Sequence, residues 1–400
     1  MGAGAGDCTI IGQGLRAGLP VASFVNGVMI RVLDLNDVYA GPGQVGHPSD
    51  NIAVAIAATE KAGRSGKDLL RAIRLGYEIY GRIEDSFDSA NTPWDHVSAS
   101  GLTAAGMTGW LLGLPDGALG HALALAATHS ATSREIRGGQ VSSAKSIANG
   151  IVVQTATLLT LLAAKGITGP SHALDGRYGF GKIVLDGADI DAVFAPGSRP
   201  DRVLSAGLKM YPCFAMAQGP IHATAAIRKA LGAPVPAVER IRVTLADSAP
   251  ARTRLADGAS AMPTSHEQAD HSIHFLVATA LADGYVGRGH FESRRWQDPA
   301  IVDFMARIEV ELDTALNAET VSAFPCRIAV DLADGRTLTE ARPVAPGHPE
   351  DPLSWDDVKE KFARNAEGVI SDEARGQVVR LVEGIEDLPS IAPLLETLVP

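Results

Sequence analysis

The sequence predicts a mainly α protein, an all-helical bundle domain interrupted by a smaller α+β lid domain. Three observations carry that expectation. Apolar residues make up 46% of the 400 residues but aromatics only 5%, and small residues let helix axes approach closely. Apolar positions recur at helical spacing through most of residues 51–165. Beyond residue 200 the pattern changes to short stretches that alternate apolar and polar residues. The expected bounds are 1–203 for the first part of the helical domain, 204–345 for the lid and 346–400 for the closing helices. A chain of this length has room for more than one domain at roughly 100–200 residues each.

In chain order, "SGKDLLRAIRLGYEIYGRI" (65–83) is the clearest helix. Leu69, Leu70, Ile73, Tyr77, Tyr80 and Ile83 share a face, and Ser65 with Asp68 forms a capping-box signal. Three further helices follow in "ASGLTAAGMTGWLLGL", "GALGHALALAATHSA" and "SAKSIANGIVVQTATLLTLLAAKG", each ended by glycine or a polar loop. The last contains the most apolar stretch of the chain. It falls short of the ~20 residues a membrane span requires and reads as a buried helix. In the second region, residues 238–247, 307–316 and 326–344 read as strands, the last with an Asp334-Gly335 hairpin turn. Residues 266–284 between them read as one helix, and Ser354 caps another.

The net charge of −11 and the absence of a Lys/Arg-rich run exclude a nucleic-acid footprint. Cys8, Cys213 and Cys326 are odd in number and far apart, so no disulfide framework or thiolate metal site is indicated, and a cytoplasmic setting is expected. No signal-peptide pattern opens the sequence. G-x-S-x-G, P-loop and strand-linked G-x-G-x-x-G motifs are missing, which demotes hydrolase, NTPase and dinucleotide enzyme.

Five stretches could do chemistry. "LDLNDVYAGPGQVGHPSDN" (33–51) gathers Asp34, Asp37, His47 and Asp50 on a glycine-rich loop. A carboxylate beside a histidine can orient the ring and raise its basicity. Ser49 or Asp50 can equally cap the helix beginning near Asn51, so a cap and a functional loop are balanced readings. Asp95-His96 in "TPWDHVSASG" precedes a helix and has the same two readings. Arg134, Arg137 and Lys145 bracket a glycine-rich turn, a set that suits an anion pocket as much as a solvated one. Lys209 in "LKMYPCFAMAQGPIHA" lies at the domain change, where clefts commonly bind ligands. His271 and His274 in "ADHSIHF" could share a helix face, but no third ligand is evident and a metal is the less favoured reading.

Taken in order, these stretches resemble the MmgE/PrpD family, which includes 2-methylcitrate dehydratase and cis-aconitate decarboxylase. The marks are "FVNGVMIRVLDLND", "GHPSDN", "GYEI", "WDHV", the R-G-G-Q-V-S-S-A-K run, "KGITGPSHALDGRYGF", "LKMYPC" and "ADHS", running from about Ala22 to the C-terminus. The resemblance implies a helical domain with an α+β lid, a homodimer, no cofactor and no metal. The implied partner is a small polycarboxylate, with neither nucleic acid nor membrane. It puts Asp34, Asp37 and His47 on the active-site loop and His96, Lys145 and Lys209 at the other recurrent polar positions. Removing a proton next to a carboxylate builds charge on that carboxylate, so cations belong there. Lys145 and Lys209 are expected to hold carboxylates, His47 and His96 to move protons, and Asp34 to orient one histidine. Asp37, Arg137, Gln218 and His274 complete the expected substrate contacts.

The motifs look nearer the 2-methylcitrate dehydratase branch, so the leading expectation is a hydro-lyase acting on a hydroxy di- or tricarboxylate. A decarboxylase or epimerase of the same family is the enzyme alternative, and a non-catalytic carboxylate-binding protein the alternative of another class. Three departures bear on substrate. Phe214 to Gln218 stand where the family often carries a cation, Phe275 stands where it often has tyrosine, and only 25 residues precede Asn26.

Overall fold

Small residues on facing helices draw the first part of the chain into a bundle. The computed structural model describes residues 6–42, 44–87, 92–138, 142–197, 201–256, 261–317 and 323–399. It is mostly helical with some sheet, and the chain divides into two units. One comprises Met1–Val32, Asn36–Ala206 and Phe362–Pro400, the other Leu33–Leu35 and Gly207–Lys361.

In the first unit, a short hairpin of β1 (Cys8–Ile10) and β2 (Leu15–Ala17) leads into helix α1 (Leu19–Val32). A second hairpin, β3 (Asp37–Ala40) with β4 (Val45–Gly46), precedes α2 (Ile52–Lys61). Then come α3 (Gly66–Glu84), α4 (Ala99–Leu111), α5 (Asp116–Ala127) and α6 (Ala144–Ala163). The Ser65–Asp68 capping box forms as the sequence predicts. Helix α4 is buried along almost its whole length, which its Gly/Ala/Thr composition permits. Where α1 crosses α6, a side chain at Gly150 would lie 2.9 Å from Val28 and 3.2 Å from the Phe24 carbonyl, so only glycine allows that approach.

The apolar helix α6 is buried on one face only. It is the one helix among the described residues long and apolar enough to cross a membrane, and 56% of its apolar window is buried within the protein. Ile147, Ile151, Leu158 and Leu162 form an exposed stripe along its other face. The stretch that reads as a buried helix thus buries one face and exposes the other.

The second unit is α+β. Its sheet runs in the order Ile308–Asp313, Val238–Ala246, Cys326–Leu332, Thr337–Arg342. The first pairing is parallel and the other two antiparallel. Alternate residues Ile241, Val243, Leu245, Ile328 and Val330 point into a core shared with the helices Gln218–Leu231 and Ile273–Asp283. The predicted hairpin at Asp334-Gly335 forms, with Gly335 at φ +85°. The single helix expected over 266–284 is broken into His266–Ala269 and Ile273–Asp283. Ser272 causes the break, because its side chain accepts the Phe275 amide and starts a new helix. His271 thereby leaves the helix face expected to hold it with His274. Phe275 is fully buried, edge-on to Phe291 and Trp296, so the hydroxyl expected there from the resemblance would enter an apolar core.

Candidate active site

The β3–β4 hairpin brings His47 back beside Asp37. The His47 Nδ1 lies 2.6 Å from the Asp37 carbonyl oxygen, which can only accept, so Nδ1 carries a proton and, in the neutral ring, Nε2 holds the lone pair. The Asp37 carboxylate accepts the Ser49 amide at 3.1 Å and the Ser49 hydroxyl at 2.6 Å. It also lies against the Tyr77 hydroxyl, which burial first and then this carboxylate raise well above its ordinary pKa. The expectation that Ser49 or Asp50 caps α2 is corrected. Pro48–Asn51 is a 3₁₀ turn, and neither it nor α2 has a side-chain cap. Ser49 holds Asp37 instead. Asp50 pairs with Asn36 and faces Arg31 of α1, whose Nη1 donates to Asn36 at 3.0 Å.

His96 reaches the same place from a different segment. Residues 93–95 and 132–134 bond to each other through Asp95 N to Thr132 O and Arg134 N to Pro93 O, both 2.8 Å. Asp95 then caps the 3₁₀ turn His96–Ser98 by accepting the Val97 amide. The rings of His47 and His96 meet edge to face, with centroids 5.1 Å apart. Tyr80 of α3 lies beneath both. Its hydroxyl is 3.2 Å from the His47 amide, 2.9 Å from His96 Nδ1 and 3.2 Å from the His96 carbonyl. A side chain at Gly46 would fall 2.7 Å from that hydroxyl, so glycine is needed for Tyr80 to reach the loop.

Arg137 forks onto Asp95. Its Nε bonds Oδ2 at 2.5 Å and its Nη2 bonds Oδ1 at 3.1 Å, while Nη2 also reaches His96 Nε2 at 2.9 Å. Burial opposes ionisation of Asp95, but His96 in its charged form, and then Arg137, outweigh it and hold the carboxyl well below its usual range. Lys145 is buried in the first turn of α6. A lysine opposes the helix dipole there, a cost of typically 0.3–1 kcal/mol, and both together attract an anion. Asn149, one turn on, donates to the Asp50 carbonyl, and Ala148 packs with Val97. The start of α6 therefore abuts both histidine segments. Residues 139–141 of the run before Lys145 lie outside the described residues.

Glu84, one turn after Tyr80, is fully buried, and neither of its oxygens has a hydrogen-bond partner among the described residues. Burial, then Asp95 and Asp85, push its carboxyl well above the ordinary 4.5. A raised folded-state pKa stabilises the protein fully below the unfolded value and progressively less as pH rises through the folded one. Thermal melts of Glu84→Gln should therefore match those of wild type most closely near pH 4. The variant should gain on wild type as pH rises. A parallel pH dependence in both proteins would contradict a proton on Glu84.

The second unit holds its own polar cluster. Asp34, in a left-handed conformation at φ +47°, clasps Lys209. The ammonium donates to its carbonyl at 3.0 Å and to its Oδ1 at 2.7 Å. Asp34 Oδ2 is 3.8 Å from His271 Nε2, and His271 Nδ1 bonds Asp270. Phe214 stacks on the His271 ring at 5.3 Å. The oxygen on His47 Nδ1 is the Asp37 carbonyl, and within its own unit Asp34 contacts Lys209 and His271. Asp34, Asp270 and His271 bring three potential metal-binding atoms within 4.8 Å of one another, but the Lys209 ammonium already supplies a cation at Asp34. Gln218 directs its amide at the backbone of residues 210, 211 and 213, a loop-holding position. His274 is partly buried, and burial lowers its pKa.

Of the expected residues, His47, His96, Asp37, Arg137 and Lys145 belong to the first unit, and Asp34, Lys209, Gln218 and His274 to the second. Sequence reasoning missed Tyr80 as a polar contributor, because its position reads as one more apolar residue on the inner face of α3. It also missed Glu84, whose only signal is a carboxyl at an inward helical position.

Comparison with known proteins supports lyase chemistry at the coarse level. Residues 1–193 match the MmgE/PrpD N-terminal domain and residues 211–384 the MmgE/PrpD C-terminal domain. The chain is 26% identical to human cis-aconitate decarboxylase, over 96% of this chain and 81% of that protein. It is 29% identical to 2-methylcitrate dehydratase of Cupriavidus necator, over 80% of this chain and 69% of that protein. It is 25% identical to alkylcitrate dehydratase phiI of Talaromyces stipitatus, over 91% and 78%. Decarboxylase and dehydratase are both lyases. With both domain models matched along most of its length, this chain belongs to the MmgE/PrpD family.

Proposed function

We propose that this protein is a cofactor-independent hydro-lyase that removes water from a small hydroxy di- or tricarboxylate. The observation that carries the reading is the pair of facing histidines, His47 and His96, each held by its Nδ1 so that Nε2 is the nitrogen able to exchange a proton. In this reading His47 takes the proton from the carbon next to a carboxylate, and His96 protonates the departing hydroxyl. The first turn of α6, with Lys145, supplies positive potential for the carboxylate on which charge develops.

Support for dehydration comes from the dehydratases among the relatives and from "GHPSDN". The second reading is decarboxylation, favoured by the human decarboxylase aligning over 96% of the chain. A panel of hydroxy- and unsaturated polycarboxylates separates them. Double-bond absorbance without CO2 release is the expected result, and CO2 release would establish the second reading. Inertness toward the whole panel would reject both. Activity should survive exhaustive chelation, and its loss with recovery by one metal would remove the cofactor-independent assignment.

The same reading includes a homodimer. The stripe of Ile147, Ile151, Leu158 and Leu162 is contiguous apolar surface on one helix, of a kind that monomers rarely expose beyond a few hundred Å². Light scattering at micromolar concentration should give twice the chain mass, and Ile151→Asp with Leu158→Asp should give the monomer. A wild-type monomer would refute the assignment.

A further inference from the structure

We infer that Arg137 sets the protonation of His96, capping its Nε2 in the ligand-free protein and, when a carboxylate ligand draws the guanidinium away, leaving His96 to take up a proton beside Asp95 and become an acid. The lyase reading enters only through the class of ligand.

The hydrogen bonds allow one arrangement of protons. A guanidinium donates and never accepts, so the 2.9 Å contact from Arg137 Nη2 requires a lone pair on His96 Nε2. The imidazole proton must then sit on Nδ1, where it is donated to the Tyr80 oxygen at 2.9 Å. Tyr80 in turn donates to the His96 carbonyl and accepts the His47 amide. One donation and two acceptances are the full capacity of a hydroxyl. A second proton on His96 would point at an N–H of Arg137, so a charged His96 cannot keep that hydrogen bond.

Asp95 drives the exchange. It is 2% exposed, and a buried carboxylate needs a cation. Arg137 now fills that need with two bonds to the carboxylate. Once it leaves, the nearest candidate is His96, whose Nε2 is 3.6 Å from Asp95 Oδ1. A solvent proton on Nε2 restores the ion pair. Among the described residues, Tyr80, already engaged, and the ring of His47 also face His96, and the buried Lys145 lies at the start of α6, which abuts the His96 segment. Glu84 lies behind Tyr80, and burial pushes its carboxyl well above the ordinary range. Arg137 can move, because its side chain is 24% exposed where that of Asp95 is 2%. In the dehydration step, the Nε2 proton goes to the leaving oxygen as that oxygen takes the C–O electron pair. His96 returns to the neutral form, and the proton collected by His47 returns to solvent.

The test uses tricarballylate, a saturated tricarboxylate with no hydroxyl to lose. Calorimetry at about pH 7.5, in buffers of different ionisation heats, should show wild type taking up about one proton on binding. Arg137→Met and His96→Gln should take up none. In ligand-free protein at about pH 7, nitrogen NMR should find His96 Nε2 without a proton in wild type and protonated in Arg137→Met. Arg137→Lys keeps a charge for Asp95 but lacks the fork that reaches both residues, so it serves if the methionine variant does not fold. An unprotonated Nε2 in both wild type and variant would overturn the cap and leave the lyase reading standing. Unequal nitrogens with no tricarballylate binding, or binding without proton uptake, would overturn the carboxylate trigger. Of these, only failure to bind would also count against the lyase reading.

Discussion

Replacing His47 with asparagine is expected to lower kcat by about 10²–10⁴-fold, the usual contribution of a positioned acid or base. The asparagine amide can still donate to the Asp37 carbonyl that now receives the Nδ1 proton, so the loop should keep its shape. What it lacks is the Nε2 lone pair. Melting temperature and circular dichroism should stay close to wild type while turnover collapses across every accepted substrate. A variant that retains activity within a few-fold would show that His47 is not the base. The proton-transfer role would then pass to His96 or to a residue not yet implicated.

The second large effect is on stability. Lys209→Met is expected to cost about 3–5 kcal/mol, the typical result of removing one partner from a buried ion pair. Lys209 is 1% exposed, and its ammonium is held by both the carbonyl and the carboxylate of Asp34. Methionine keeps the stem but leaves that carboxylate buried without the ammonium that now pairs with it. The expectation from the resemblance was that Lys209 holds a substrate carboxylate. The structure gives the ammonium to Asp34, which makes folding the first casualty. Denaturant unfolding checks this, and adding Asp34→Asn should recover part of the loss. A cost below about 1 kcal/mol would mean that the pair behaves as a surface one.

The helices were legible because their signals are local. The Ser65–Asp68 box and the apolar face of α3 need only a few residues of context. The hairpin at Asp334-Gly335 was legible for the same reason, since a positive φ at Gly335 is a one-residue requirement. The break at residues 270–272 was hidden, because Ser272 within an apolar periodic run looks like a tolerated helix residue until its hydroxyl is seen capping Phe275. Which side of α6 carries the exposed stripe was hidden too, since residues apolar on every side do not reveal which side is covered.

At the site, residue types were easier to read than pairings. His47, His96, Arg137 and Lys145 were recognisable from polar residues on loops and at helix starts. That Arg137 would bind Asp95 and His96 together depends on residues 41 and 42 positions apart. That Asp34 would serve Lys209 depends on a separation of 175. No local pattern encodes such distances. Tyr80 shows the converse failure, because a buried aromatic at a core position conceals a hydroxyl that organises both histidines.

The central claim is proton transfer at a carbon next to a carboxylate, with His47 as the base. Solvent deuterium read by NMR tests it most directly. In D2O, wild type should introduce one deuterium at that carbon of an accepted polycarboxylate, with a single stereochemistry and without added metal. His47→Asn should introduce none over the same period. No exchange by folded wild type with any member of the panel, or equal exchange by wild type and His47→Asn, would contradict the account.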